Sequence, residues 1–420
     1  MMKTMLPSTI PSTIHCSDKS DHPTELTAFH VDPIRGFLPP QDPVTQLPTY
    51  YTAWEAAIAH LPALLITGSA SATLKRLPPL SVERLETAGQ VERAMLLLSI
   101  FASVYVWEGK APKLVLPHNI AQPLWAVAAK LDRPPILSYT SIVLHNWRRF
   151  GDTEVSDAVQ DRFDPVDSPT TNGLTLEKLA LQHCFWGGID EQWFYLISVA
   201  IEAAGAAALP ALLTAQRAVV NNRTDHLVAS LQRIHAALTS AYAILLRLPE
   251  KCHPYIFYHR IRQFIGGWPE EGVIYEGVST TPHSYVGSSA AQSPLLQAID
   301  AGLDIAHTDE KSAYLQRVRP YMQRGHRRFI QTLATGPSVR DYVTANGADY
   351  PTLCDCYNAC VDALVRFRKK HLEIAVQYIA QQAPQQTKTA ALGTGGTPFV
   401  PFLSQVRKET QEHLVTKEAS

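Results

Sequence analysis

Among the sixteen histidines of the 420-residue chain, His371 has the most distinctive placement. Leu364, Phe367, Ile374 and Tyr378 stand three, four or seven residues from it, so on a helix all five share one face. A neutral imidazole on such an apolar wall can hold a haem iron from one side, with its second ring nitrogen oriented by an acceptor behind it. A core histidine bonded to a main-chain carbonyl satisfies the same pattern, and spacing does not separate the two. HExxH, HxH and closely spaced His/Asp sets are missing, which leaves a hydrolytic zinc enzyme without support. Cys354, Cys356 and Cys360 cluster in LCDCYNAC, yet no second Cys or His pair stands at finger spacing, so thiols packed along a helix are the expectation.

Other segments offer binding chemistry. In QWFYLISVAIE, Phe194 and Ser198 lie four residues apart and so project from one helix face. In PYIFYHRIRQFIGGW, Phe257 and Arg262 put an aromatic ring and a guanidinium within about a turn and a half of each other. Aromatic walls suit a flat substrate and Arg suits a carboxylate, although core packing accounts for the two phenylalanines equally well. Arg262 sits among Ile, Phe and Trp and must find a partner or reach water. GTGGT, from Gly393 to Thr397, lacks the lysine and strand context of a phosphate loop; it reads as a mobile lid or as a plain linker.

The elements that must position these residues read as helices. YYTAWEAAIAHLPALLI, SVERLETAGQVERAMLLLSIFASVYVWEG and NIAQPLWAVAAKLD place apolar residues at steps of three and four, and the same holds for most of the chain beyond Leu174. The fold class is therefore all-α, with an extended arm over the surface at residues 1–45, a small helical domain at 46–150, a connector rich in Gly, Asp, Ser and Pro at 151–175, and a large helical domain at 176–420 carrying the Gly-rich loop at about 384–397. The balance of 37 basic and 38 acidic side chains points to no nucleic-acid partner. The N-terminal residues lack the apolar stretch of a secretory signal, no run is expected to reach the ~18 apolar residues of a membrane span, and the six cysteines suit a reducing interior; a cytoplasmic protein is expected.

Taken in order, PPILSYTSIVLHNW, FWGGIDEQWFYLISVAIEAA, FYHRIRQFIGGW, VIYEGV, GSSAAQS, PSVRDYV, KKHLEIAVQYI and LGTGGTPFVPFL resemble the successive blocks of the indoleamine 2,3-dioxygenase family. The resemblance runs from about Leu47 to Arg407. It implies a small helical domain capping a larger one that holds haem b, with His371 as the proximal iron ligand, Arg368 near the propionates and Asp300 paired with Arg368. It further implies that Tyr139, Phe194, Ser198, Phe257, Ser289 and Ala290 line the substrate pocket, that Arg262 receives the substrate carboxylate, and that Thr394 belongs to the lid. The implied reaction adds both atoms of O2 across C2 and C3 of the indole of L-tryptophan, giving N-formyl-L-kynurenine on the kynurenine pathway, with an electron donor keeping the iron ferrous and the protein acting as a monomer. None of the matched pocket positions is a side-chain acid or base. The chain departs from the family where GSSAAQ replaces GGSAGQ, so Ser288 and Ala291 stand where glycines are usual; Ile142 and Val143 give an apolar pocket end, and Tyr258 lies beside Phe257. A dioxygenase for another indole, and a haem protein that binds O2 without catalysis, are the alternatives.

Overall fold

The computed structural model describes residues 26–150, 173–383, 392–394 and 398–416. Residues 1–25 of the arm expected at 1–45, most of the connector at 151–175 and most of the lid at 384–397 lie outside the described residues. The described residues are 63% helical and 4% strand, so the fold is all-α. The first helices are α1 Thr52–Ala59, α2 Leu61–Ile66, α3 Ala70–Lys75, α4 Ala88–Trp107 and α5 His118–Leu131. After residue 173 come α6 Ile189–Gly205, α7 Ala208–Val220, α8 Thr224–Leu246, α9 Pro294–Gly302, α10 Asp309–Val318, α11 Arg324–Ala334, α12 Val339–Asn346, α13 Pro351–Ala375 and α14 Phe399–Gln411. Two small ladders join distant segments: β1 Val115–Leu116 pairs in parallel with β4 Ile274–Tyr275, and β2 Trp147–Arg149 pairs antiparallel with β3 Leu179–Leu181.

Local chemistry explains why the helices begin where they do. Thr87 caps α4 by accepting from Gln90 N, and the Gln90 side chain accepts from Glu86 N, so two of the orphan donors at that end are met. Ahead of α6, Gly187 and Gly188 take φ of 76° and 90°, a region costly for any residue with a Cβ. That turn lets Glu191, in the first turn of α6, reach back and accept from the N–H groups of Phe185, Trp186 and Gly187 at 2.7 to 3.0 Å. Pro351 opens α13 at a position where its missing N–H costs nothing.

One large apolar core joins α1 to α6 with the segment around Phe257 to Tyr275 and with Phe367, Ile374 and Tyr378 at the end of α13. A second core gathers α7, α8, α9, α11, α12 and the first half of α13. Residues 26–45, expected as part of a surface arm, instead send Leu26, Val31, Phe37 and Leu38 inside; the Phe37 ring packs on His326 and Phe329 of α11. The membrane expectation also needs correcting, because the stretches Ala88–Trp107 and Ile189–Val220 are long and apolar enough to span a bilayer. Most of the apolar part of each is buried within the protein, as in the central helices of a thick helical core.

Candidate active site

α13 carries the central group. His371 is three residues beyond Arg368 and four beyond Phe367, and all three face one cavity together with Ile374, Ala375 and Tyr378. Across from them α6 presents Phe194, Ser198 and Ile201, again at steps of three and four. The loop Ser288 to Ser293 closes a third side, and Phe399, Phe402, Leu403 and Val406 of α14 a fourth. Protein atoms leave about 1870 Å³ free there, the open mouth included. The walls are mainly apolar, and the charged, amide or imidazole side chains among the described lining residues are Gln297, Asp300, Arg368 and His371, beside the hydroxyls of several serines, tyrosines and Thr394.

Three π-helical turns adjoin this space: Thr140–Leu144, Phe257–Ile261 and Val376–Ala380. Each contributes to the lining, through Val143, Phe257 and Tyr378. A π turn widens the helix by one residue and redirects side chains, which is why such turns gather at working sites. The rings of Phe194 and Phe257 lie 4.6 Å apart and those of Phe257 and Tyr378 5.9 Å apart, so three segments build one aromatic wall.

His371 is half-buried and lines the cavity. Enclosure pulls its pKa down to about 4, with the Arg368 charge adding to the effect, so the imidazole is neutral at physiological pH. Neither ring nitrogen has a hydrogen-bond partner among the described residues. Among the described residues, then, neither the carbonyl of a core histidine nor the expected acceptor behind the ring is found. Arg368 Nη2 donates to both oxygens of Asp300 at 2.7 and 2.6 Å, and its Nη1 donates to Thr410 Oγ1 of α14. His307 bridges Asp300 at 3.3 Å and Glu409 at 2.9 Å. Burial would raise the Asp300 pKa, but the Arg368 charge and His307 outweigh it and hold the carboxyl below its usual range.

Of the residues singled out from sequence, Tyr139, Phe194, Ser198, Phe257, Ser289, Ala290, Asp300, Arg368, His371 and Thr394 all line this one cavity, as do Val143, Ser288 and Ala291. Ile142 does not; it is buried in the core beside it. Arg262 stands just outside the wall, where Nη2 donates to Leu392 O at 2.5 Å and the guanidinium lies 5.4 Å from the Tyr258 ring centroid. Its Nε is buried without a partner among the described residues. Leu392 adjoins the lining residues Gly393 and Thr394, and the Thr394 carbonyl accepts from Gly287 N at 3.1 Å, so the described part of the Gly-rich segment is tied to the serine loop. Gly287 is glycine for want of room, since a Cβ there would stand 2.2 Å from Ile265 O. Sequence reasoning missed Glu202, which lies behind Tyr139 and Ser293, although its position four residues beyond Ser198 was a usable signal.

The sequence profile described as indoleamine 2,3-dioxygenase matches residues 25–413 of the chain. The chain belongs to the indoleamine 2,3-dioxygenase family. Among its relatives, the human indoleamine 2,3-dioxygenase 2 is 33% identical, over 94% of this chain and 97% of the relative. The indoleamine 2,3-dioxygenase of Saccharomyces cerevisiae is 30% identical over 95% and 96%, and the 6-hydroxytryptophan 2,3-dioxygenase of Fusarium equiseti 30% over 93% and 98%. Members of this indoleamine dioxygenase family are haem-dependent oxidoreductases. The residues present fit that group. A neutral imidazole with no hydrogen bond to the described residues faces a mainly apolar cavity, and a buried guanidinium on the same helix face, paired with Asp300, brings a positive charge to its edge.

Proposed function

We propose that this chain opens the indole ring of L-tryptophan to N-formyl-L-kynurenine, with His371 holding the haem iron and Arg368 and Asp300 flanking the cofactor. The observation that carries the reading is the meeting of His371 and the Phe194–Phe257–Tyr378 aromatic wall around one cavity, with the Arg262 guanidinium just outside it, bonded to the carbonyl of Leu392 beside the lining residue Gly393. Haem, when bound, supplies the redox-active iron that activates O2. The chain's own residues bind and orient. The aromatic wall holds a flat ring and keeps water from it, which favours a reaction governed by orientation. Arg262 is a half-buried cation whose buried Nε has no partner among the described residues and whose described acceptor is a carbonyl, so an incoming carboxylate is a better partner than the one it has. Ser289, Ala290 and Thr394 shape the remaining wall, and among the described lining residues Asp300 and Arg368 are the ionised side chains, paired with each other, while His371 is neutral. The proposal carries with it a donor that keeps the iron ferrous, a monomeric chain and a cytoplasmic setting.

Purified protein supplied with haem, reductant, O2 and L-tryptophan should accumulate N-formylkynurenine; a haem-loaded protein that yields none overturns the reading. A second reading, a dioxygenase for a substituted indole, is favoured by the hydroxyls of Ser198, Ser288, Ser289, Ser293 and Tyr139 along the wall, and by the relative named for 6-hydroxytryptophan. A panel of indoles ranked by kcat/KM separates the two.

A further inference from the structure

Phe194, Ser198 and Glu202 follow one another at four-residue steps along α6. The first two line the cavity, and Glu202 lies one layer behind it at 1% exposure. Its Oε1 accepts from the Tyr139 hydroxyl at 3.0 Å and from the Ser293 hydroxyl at 2.6 Å. Those two residues belong to different walls of the cavity and come from distant parts of the chain. Tyr139 is gripped on its backbone side as well: its N–H donates to Gln292 Oε1 at 2.9 Å, while Gln292 Nε2 donates to Gly287 O at 2.8 Å. Glu202 Oε2 is buried with no partner among the described residues.

Stability does not account for this carboxyl group. An apolar side chain of similar volume would fill the space without the desolvation that a lone buried acid incurs. We propose that Glu202 is a positioning residue for the indole site, holding the Tyr139 wall and the Ser293 wall at a set separation and so shaping the space in which the substrate ring lies. The proposal rests on the indole reading above. Burial pushes the Glu202 pKa up to about 7 against the pull of the two hydroxyls. The groups that face it are the Tyr139 phenol, ahead of the π turn, and the Ser293 hydroxyl, ahead of α9; no charged side chain among the described residues acts on it. Both hydroxyls donate to Oε1, which leaves Oε2 to carry the proton, and loss of that proton strengthens both bonds and tightens the walls.

The test uses the haem-loaded full chain and compares KM with kcat across neutral pH. Glu202→Leu should raise KM for L-tryptophan about tenfold while kcat changes less than about threefold. Glu202→Gln keeps the volume and one acceptor, so its KM should rise less and lose the pH dependence seen in the unaltered protein. Adding Tyr139→Phe to Glu202→Leu should cost little more, because the two act through one contact. An unchanged KM in Glu202→Leu, a fully additive double variant, or KM, kcat and thermal midpoint falling together in Glu202→Gln overturns the assignment. Infrared spectra of the substrate-free protein give a readout independent of the indole reading: a protonated carboxyl band that vanishes in Glu202→Gln and shifts in Tyr139→Phe is expected, and its absence sinks the proposal even if tryptophan is cleaved. Absence of turnover with the band present sinks the indole reading instead, and with it the positioning role built on it.

Discussion

Arg368 clasps both carboxylate oxygens of Asp300, at 2.7 and 2.6 Å, one turn ahead of His371 on the same helix. Both side chains are buried, so the pair fastens α9 to α13 next to the cavity. Asp300→Ala leaves a buried guanidinium without its counter-charge, a change that costs about 3–5 kcal/mol. Urea unfolding of the full chain should show that loss, with Asp300→Asn losing less; an unmoved midpoint would mean that Arg368 finds another anion.

His371→Ala should abolish the Soret absorption of the purified protein. Because the imidazole makes no hydrogen bond to any described residue, its removal breaks no described hydrogen bond, and the far-ultraviolet dichroism should keep its helical form. A variant that retains an unaltered Soret band would remove His371 from the iron.

Replacing Arg262 with Ala should raise KM for L-tryptophan about 10–100-fold and alter kcat less, the pattern of a lost binding contact. Arg262→Lys should not restore the affinity, since an ammonium lacks the fork that meets a carboxylate twice. Steady-state kinetics decide this, and a wild-type KM in either variant would remove the carboxylate role.

His326 sets a pH response. Its Nε2 pairs with His30 O at 3.1 Å, its Nδ1 is buried without a partner, and burial lowers its pKa from 6.5 to about 3. A folded-state pKa below the unfolded one means that the stabilisation is complete above about pH 6.5 and drains away as pH falls toward 3. Denaturation midpoints measured down that range should therefore fall more steeply for the natural protein than for His326→Gln. Parallel curves would show that the ring already carries its proton when folded.

The helices and their buried faces were legible in the sequence because α4, α6 and α13 repeat apolar residues at the helical period over many turns. His371 was legible as a histidine on such a face, but not as a ligand, since periodicity says which way a side chain points and nothing of what it meets. The π turns were not legible: an extra residue in a turn leaves no mark on composition, yet it directs Val143, Phe257 and Tyr378 to the cavity. Membership of residues 26–45 in the core was missed for a related reason, as an irregular segment has no period to betray its buried positions.

What the sequence determined by itself is therefore the all-α class, the stripe that holds His371 and the ordered blocks of the family. All of these reside in neighbours along the chain, where spacing of three and four residues dictates geometry. Only the tertiary structure decided that Asp300 reaches Arg368, that Arg262 bonds a carbonyl of the Gly-rich segment, and that Glu202 joins Tyr139 to Ser293. Those contacts link residues tens to more than a hundred positions apart, and no local pattern encodes them, because they exist only once helices have packed and burial has obliged each polar group to find a partner.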